Sequence, residues 1–388
     1  MKRIILLFWL WSCVISGYGQ KGTLDGYLND MQAFYHMDGV GWLWENQLHN
    51  RLNLDLYPTE WMKISIEGRT RFLQGNTFSG FPGYAEFSGK DAGWIDLTYS
   101  HGNSYNEKIG YLFTSKADRL YTEFSAGNFV GTVGRQRINW GQTFVWNPND
   151  IFNTYSYFDV DYPERPGSDA IRLQYYTGMT SNLELAAKID SANRITAAGY
   201  FRFNALGYDF QFIGGILEEE DLVLGAGWSG HIVNTSFRGE LSYFHRMDTF
   251  TDTTGHILVS AGLDHHFENN LWLRTELLYS GFAKALDIHS FLQLFSTDMN
   301  IRNIGFTTWS IFSSISYPVT PLINLSLAGM YYPEWRGFYL GPSIDFSLSD
   351  NLSATLIIQE FSAELEDFSG ITSRQNTFIG YGRIKWSF

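Results

Sequence analysis

The sequence predicts an all-β fold: a single transmembrane antiparallel β-barrel of about 18–20 strands, with short periplasmic turns and longer extracellular loops. Three observations predict it. A short apolar segment at the N-terminus reads as a secretory signal. Apolar and polar residues then alternate with period 2 through strand-length segments along almost the whole chain. The final residues make one more alternating segment, ending on Phe388.

Lys2 and Arg3 form a positive start, Ile4 to Ile15 an apolar run, and Gly17-Tyr18-Gly19 a small-x-small cleavage pattern. The expected domains are a signal peptide, 1–19, and a barrel, 20–388. Two other readings compete with this one. An uncleaved anchor would need roughly 20 apolar residues to cross a bilayer, and this run is shorter. A lipoprotein cut before Cys13 would place bulky Trp11 where a lipobox has a small residue. No later stretch approaches the length of a transmembrane helix. A membrane-resident chain must then close a barrel, because every backbone N–H and C=O has to be paired.

The alternation is explicit in four segments. Leu48, Leu52, Leu54 and Leu56 oppose Gln47, His49, Arg51, Asn53 and Asp55, with Asn50 the exception on the apolar face. Ile64, Ile66, Gly68, Thr70 and Phe72 oppose Lys63, Ser65, Glu67, Arg69 and Arg71. Phe237, Gly239, Leu241 and Tyr243 oppose Arg238, Glu240 and Ser242. Leu271, Leu273, Thr275, Leu277 and Tyr279 oppose Trp272, Arg274 and Glu276. A soluble sandwich also alternates. Repetition about every 18 residues, bounded by Asn, Asp, Gly, Ser or Pro, favours the barrel.

Short turns fall at 57–60, 126–128, 204–207, 267–270, 318–321 and 349–351. Longer connections fall near 74–90, 141–167, 247–254, 282–303 and 364–373. Counting back from the C-terminus puts the short turns on one rim and the long loops on the other. This requires a first strand within Gly22–His36 and an even strand number. Phe378, Ile384, Trp386 and Phe388 share one face of the last segment, and Trp386 with Phe388 resembles the assembly signal of outer-membrane barrels.

Composition agrees. Aromatic residues make up 17% of the chain, which suits pleated half-buried surfaces and membrane interfaces. The formal charge of −13 becomes −15 once Lys2 and Arg3 are removed, which argues against nucleic acid as a partner. The single cysteine, Cys13, lies in the expected signal, so the mature chain has no disulfide, thiolate ligand or cysteine nucleophile. His265 and His266 are adjacent in a strand and point to opposite faces, so they cannot share a metal. No metal site, catalytic residue or cofactor is expected.

In a barrel of this size the lumen is wide, and its inward residues set what passes. The inward charges are Arg51, Asp55, Lys63, Glu67, Arg69, Arg71, Glu123, Arg172, Lys188, Arg238, Glu240, Arg274 and Glu276. These could equally pair across strands and simply fill a polar interior. The most distinctive segment is Val133-Gly134-Arg135-Gln136-Arg137-Ile138-Asn139-Trp140-Gly141-Gln142, which runs into Asn147-Pro148-Asn149-Asp150. The strand count makes it climb to the outer rim and open into a long loop, of the kind that folds inward and narrows a pore. Arg135, Arg137, Arg165 and Arg172 would then face Asp150, Asp159, Asp161, Glu164 and Asp169, setting up a transverse field. Arg69 and Arg71 are the other constriction candidates. An outer cap held by surface ion pairs is the alternative.

This Gly-Arg-Gln strand, leading into Trp-Gly and an Asn-Pro-rich loop, resembles the alginate-export and related porin-like barrels. Asn46–Leu56 also looks like first-strand sequence of Bacteroidota outer-membrane barrels. The resemblance implies an outer-membrane channel for polar or charged solutes, with oligo- or polysaccharide among them. It also implies outer-membrane lipid and the barrel-assembly machinery as partners, and it leaves a homo-oligomer open. In an alginate exporter the lumen is basic, whereas the inward set here is mixed in sign. Two other classes stay open: a non-conducting barrel in envelope assembly or surface-polysaccharide attachment, and a lipid-modifying enzyme, for which the sequence offers no Gly-x-Ser-x-Gly.

Overall fold

The computed structural model describes residues 22–80, 84–91, 93–103, 109–162, 164–283, 288–297, 299–366 and 369–388. The expected signal peptide lies outside the described residues. Nineteen strands follow in chain order. The first six are β1 (Gly22–Met37), β2 (Gly41–Thr59), β3 (Met62–Gly75), β4 (Thr98–Asn103), β5 (Gly110–Ala126) and β6 (Phe129–Gln136). Then come β7 (Ser168–Tyr176), β8 (Asn182–Ile189), β9 (Ile195–Ala205), β10 (Tyr208–Leu217), β11 (Asp221–Ile232), β12 (Thr235–Arg246) and β13 (His256–His266). The last six are β14 (Trp272–Ser280), β15 (Trp309–Thr320), β16 (Ile323–Tyr332), β17 (Gly337–Ser349), β18 (Leu352–Glu366) and β19 (Thr372–Ser387).

Each strand pairs antiparallel with its chain neighbour, and β1 also pairs with β19, which closes the sheet. Strand β3 pairs directly with β5, while β4 lies beside the outer half of β5 whose other half pairs with β6. The closed ring therefore has eighteen strands, and β4 is an extra hairpin arm. Closure abolishes the open sheet edge that a bilayer could not tolerate. The last link is made by Phe388, whose backbone N–H and C=O both pair with Gly26 at 3.0 Å. A Cβ at Gly26 would sit 2.2 Å from the Arg51 carbonyl oxygen, so the seam needs a residue without one.

The expected short turns all lie on the rim that holds both chain ends, and the expected long connections all lie on the other. In the two-residue turn between β9 and β10, Leu206 and Gly207 both take positive φ, the geometry that matches strand twist. The faces also fall as the alternation requires. Leu48, Phe72, Leu241, Leu273 and Leu277 are exposed on the outside. Gln47, His49, Arg51, Arg69, Glu240 and Glu276 are buried within.

The expectation of a wide polar lumen needs correction. Towards the outer rim the inward positions are apolar: Val223, Phe244, Leu258, Leu278, Phe312, Tyr339, Phe361 and Leu365 are all buried. They form one core with Ile138, Trp140, Val145, Trp146, Ile151 and Phe152 of the loop after β6, and with Phe291, Ile301 and Ile304 of the β14–β15 connection. Part of the outer half of the barrel is packed like a globular interior because two loops fold into it. The inner half keeps the polar lining.

Candidate functional site

The site is built from residues 137–167. Entering the lumen exposes this segment's backbone amides to an interior where each must find a partner. Two inward carboxylates supply them. Glu240 on β12 accepts from the N–H groups of Gln142, Thr143 (2.8 Å) and Asn149 (2.8 Å), and from the Thr143 hydroxyl (3.1 Å). Glu276 on β14 accepts from the N–H groups of Phe144 (2.8 Å), Val145 (3.1 Å) and Trp146 (2.8 Å), and from the Ser260 hydroxyl (2.9 Å). Both carboxylates are buried, and no cation stands within salt-bridge distance of either among the described residues. Charge-assisted bonds to oriented N–H groups offset their desolvation. The approach is close. A Cβ on Gly225 of β11 would come within 2.5 Å of Asn149 Oδ1.

The loop then crosses to the opposite wall, formed by β1, β2, β3, β5 and β19. The Tyr27 hydroxyl donates to Glu164 at 3.0 Å, and His49 Nδ1 meets Asp161 at 3.1 Å. Arg119 donates to the carbonyls of Glu164 and Arg165, and Arg383 to that of Val160. Arg69 lies 3.6 Å over the Tyr162 ring, and Arg165 lies 3.0 Å over the Tyr155 ring. Arg51 ties this wall together, donating to Asp118 at 2.6 Å and to Glu67.

The sequence-derived candidates separate into two groups. Arg69, Arg71, Asp159, Asp161, Glu164 and Arg165 gather where the loop meets the β1–β5 wall. Arg71 donates to the Ser88 carbonyl at 2.8 Å, and Asp159 is exposed. Burial favours the neutral form of Asp161, but the His49 contact and the Arg71 and Arg69 charges hold its carboxyl below the usual range. The others are committed elsewhere. Arg135, buried, binds Asp169 at 2.7 and 2.9 Å, Asp91 at 2.8 Å and the Ile95 carbonyl at 2.6 Å. It fastens the segment before β4 to the β6–β7 wall. Arg172 binds Glu184, which also accepts from the Trp140 indole N–H at 3.0 Å. Asp150 is buried within the loop itself, where burial pushes its carboxyl up to about 6 against the pull of Arg137 and Arg165. Arg137 stands half buried just past β6.

Two features escaped sequence reading. Glu240 and Glu276 were visible only as inward charges, because their partners are backbone amides that leave no mark in side-chain identity. Asp118 was missed because strict alternation cannot turn both it and Arg119 inward. The register shifts there, with Glu67 opposite Arg119 and Gly68 opposite Ala117, so Asp118 is the extra residue of a bulge.

Above the loop lies a cavity of about 1390 Å³, bounded below by residues 151–159 and above by the β14–β15 connection and the outer rim. Its charges are largely paired: Arg302 binds Glu218 at 2.6 Å and Asp221 at 2.7 Å, and Arg194 binds Glu218 at 2.9 Å.

No family model matches the sequence, and no curated protein is similar to it. Solved structures are similar in fold. OccAB1 of Acinetobacter baumannii is 8% identical with a TM-score of 0.59, over 96% of this chain and 98% of that one. OccAB3 of the same organism is 9% identical with a TM-score of 0.58, over 95% and 99%. OccK7 (OpdD) of Pseudomonas aeruginosa is 8% identical with a TM-score of 0.55, over 95% and 99%. What this chain shares with these neighbours, over nearly its whole length, is the fold of a single closed β-barrel.

Proposed function

We propose that this protein is an outer-membrane channel for polar solutes, in which residues 137–167 form the constriction. The observation that carries the reading is the double anchorage of that loop. Carboxylates hold it on the β12–β14 side, and arginines, Tyr27 and His49 hold it on the β1–β5 side. The wall on which the loop is held carries Arg69, Arg71, Arg119, Arg383 and Lys385, and solutes pass beside these contacts. The facing carboxylates are Asp159 and Asp161, so the field runs across the path and orients polar molecules. Of these cations, Arg71, Arg119, Arg383 and Lys385 make no ion pair among the described residues, which favours anions over cations. Oligosaccharides fall within the polar solute class.

Single-channel recording of the refolded protein in a planar bilayer, with a salt gradient, tests this. Stable steps with an anion-side reversal potential are expected. A cation-side potential would overturn the assignment of the arginine wall. The apolar packing of both inserted loops favours a second reading, a barrel plugged by its own loops, and silence from a heat-modifiable, folded preparation would select it.

A further inference from the structure

We infer that the outer vestibule is a binding site for an uncharged pyranose oligosaccharide. This rests on the channel reading and adds the ligand that the mouth collects. A row of rings leads inward from the rim. Trp335, in the turn between β16 and β17, is near-parallel to Phe306 at 5.9 Å and 9°, and Phe306 to Phe158 at 6.1 Å and 17°. Tyr157 stands beside Phe158, and Tyr35 and Tyr381 continue along the cavity wall. Five of these rings, Phe306, Phe158, Tyr157, Tyr35 and Tyr381, line the cavity, all six are partly buried against the core, and Trp335 backs Phe306. The hydroxyl-poor faces of pyranose rings present C–H groups that suit such surfaces, as aromatic faces attract positive edges.

The polar groups around the rings suit the same ligand. Asp159 is exposed at the floor, and Ser156, Thr154 and Asn300 also line the cavity, offering acceptors and donors at the edges of a bound ring. Arg302, Arg194, Asp190 and Asp169 are neutralised by partners inside the protein and Lys188 donates to the Phe152 carbonyl, so much of the lining charge is already committed. A volume of about 1390 Å³ exceeds the roughly 300–1,000 Å³ of a small-molecule pocket, which leaves room for several linked sugar rings.

The test is calorimetric titration of the folded, detergent-solubilised protein with maltohexaose and cellohexaose, with benzoate as the charged aromatic control. Binding of a hexaose without benzoate binding is expected. Phe306→Ala should weaken it about tenfold, a loss of about 1.4 kcal/mol. Tyr157→Leu, which keeps bulk and apolarity, provides a second reading should Phe306→Ala fail to fold. No hexaose binding, benzoate binding in its place, or hexaose binding unmoved by folded variants would each overturn the proposal. Bilayer conductance is read separately. A protein that binds a hexaose and conducts nothing keeps this site and loses the channel. One that conducts and binds no hexaose does the reverse.

Discussion

The two sides of the lumen hold the same loop by opposite means. On the β12–β14 side, two carboxylates are taken up by six backbone amides and two hydroxyls and face no cation among the described residues. On the β1–β5 side, guanidinium groups lie on rings and carbonyls. An inward charge is therefore no guide to its role. Glu240 and Glu276 anchor through the loop's amides, whereas the arginines both hold the loop's carbonyls and leave their positive charge at the same wall.

The largest effect should come from breaking the anchoring side. Glu240→Ala with Glu276→Ala leaves six loop amides without partners, at about 1–3 kcal/mol for each unpaired group. The loop should detach, giving noisy, enlarged conductance steps and new protease cuts within 137–167. Glu240→Gln with Glu276→Gln keeps shape and one acceptor per side chain, and should do much less. Equal behaviour of the two pairs would end the anchoring argument.

The field side should respond differently. Arg69→Ser with Arg71→Ser should shift the reversal potential towards cations while the steps remain quiet. Arg135→Ser should instead lower the heat-modification temperature and leave selectivity nearly unchanged, because all its donors bind the wall and the segment before β4. If Arg135→Ser moved selectivity more than the Arg69 and Arg71 pair, the division between wall and path would fall.

A smaller effect is expected inside the loop. Folding raises the Asp150 carboxyl from 3.8 to about 6, so the folded state binds the proton more tightly than the unfolded chain. That contribution favours folding below about pH 4 and is lost as pH rises through 6. Asp150→Asn should thus raise the heat-modification temperature at pH 7 and flatten its profile between pH 4 and 6. Superimposable profiles for the two proteins would remove Asp150 from the account. The smallest change is Gly225→Ala, which crowds Asn149 and should broaden the conductance steps without abolishing them.

The barrel was legible because its cause is local. Period-2 alternation in segments such as 47–56 and 63–72 fixes which face meets lipid, and a one-residue slip would invert every side chain. Turn residues and loop lengths then fix the rims. The interior was legible only in part. Phe244 and Phe312 sit on inward faces that alternation marks as polar, since loops distant in sequence arrive to cover them.

By itself the sequence determined an all-β chain, which face of its strands turns inward, its rims and the inward position of Arg69, Arg71, Glu240 and Glu276, because the alternation of side chains along a strand depends on near neighbours alone. Only the tertiary structure decided that eighteen strands close with β4 left beside the ring, that Asp118 turns inward at a bulge, and that Arg135 binds a wall while Glu240 holds a loop. Those outcomes depend on which backbone and which ring come into contact across about 100 residues of chain, as Glu240 does with Gln142 and Thr143. Long-range pairing of that kind is set by closing the barrel, and no local pattern encodes it.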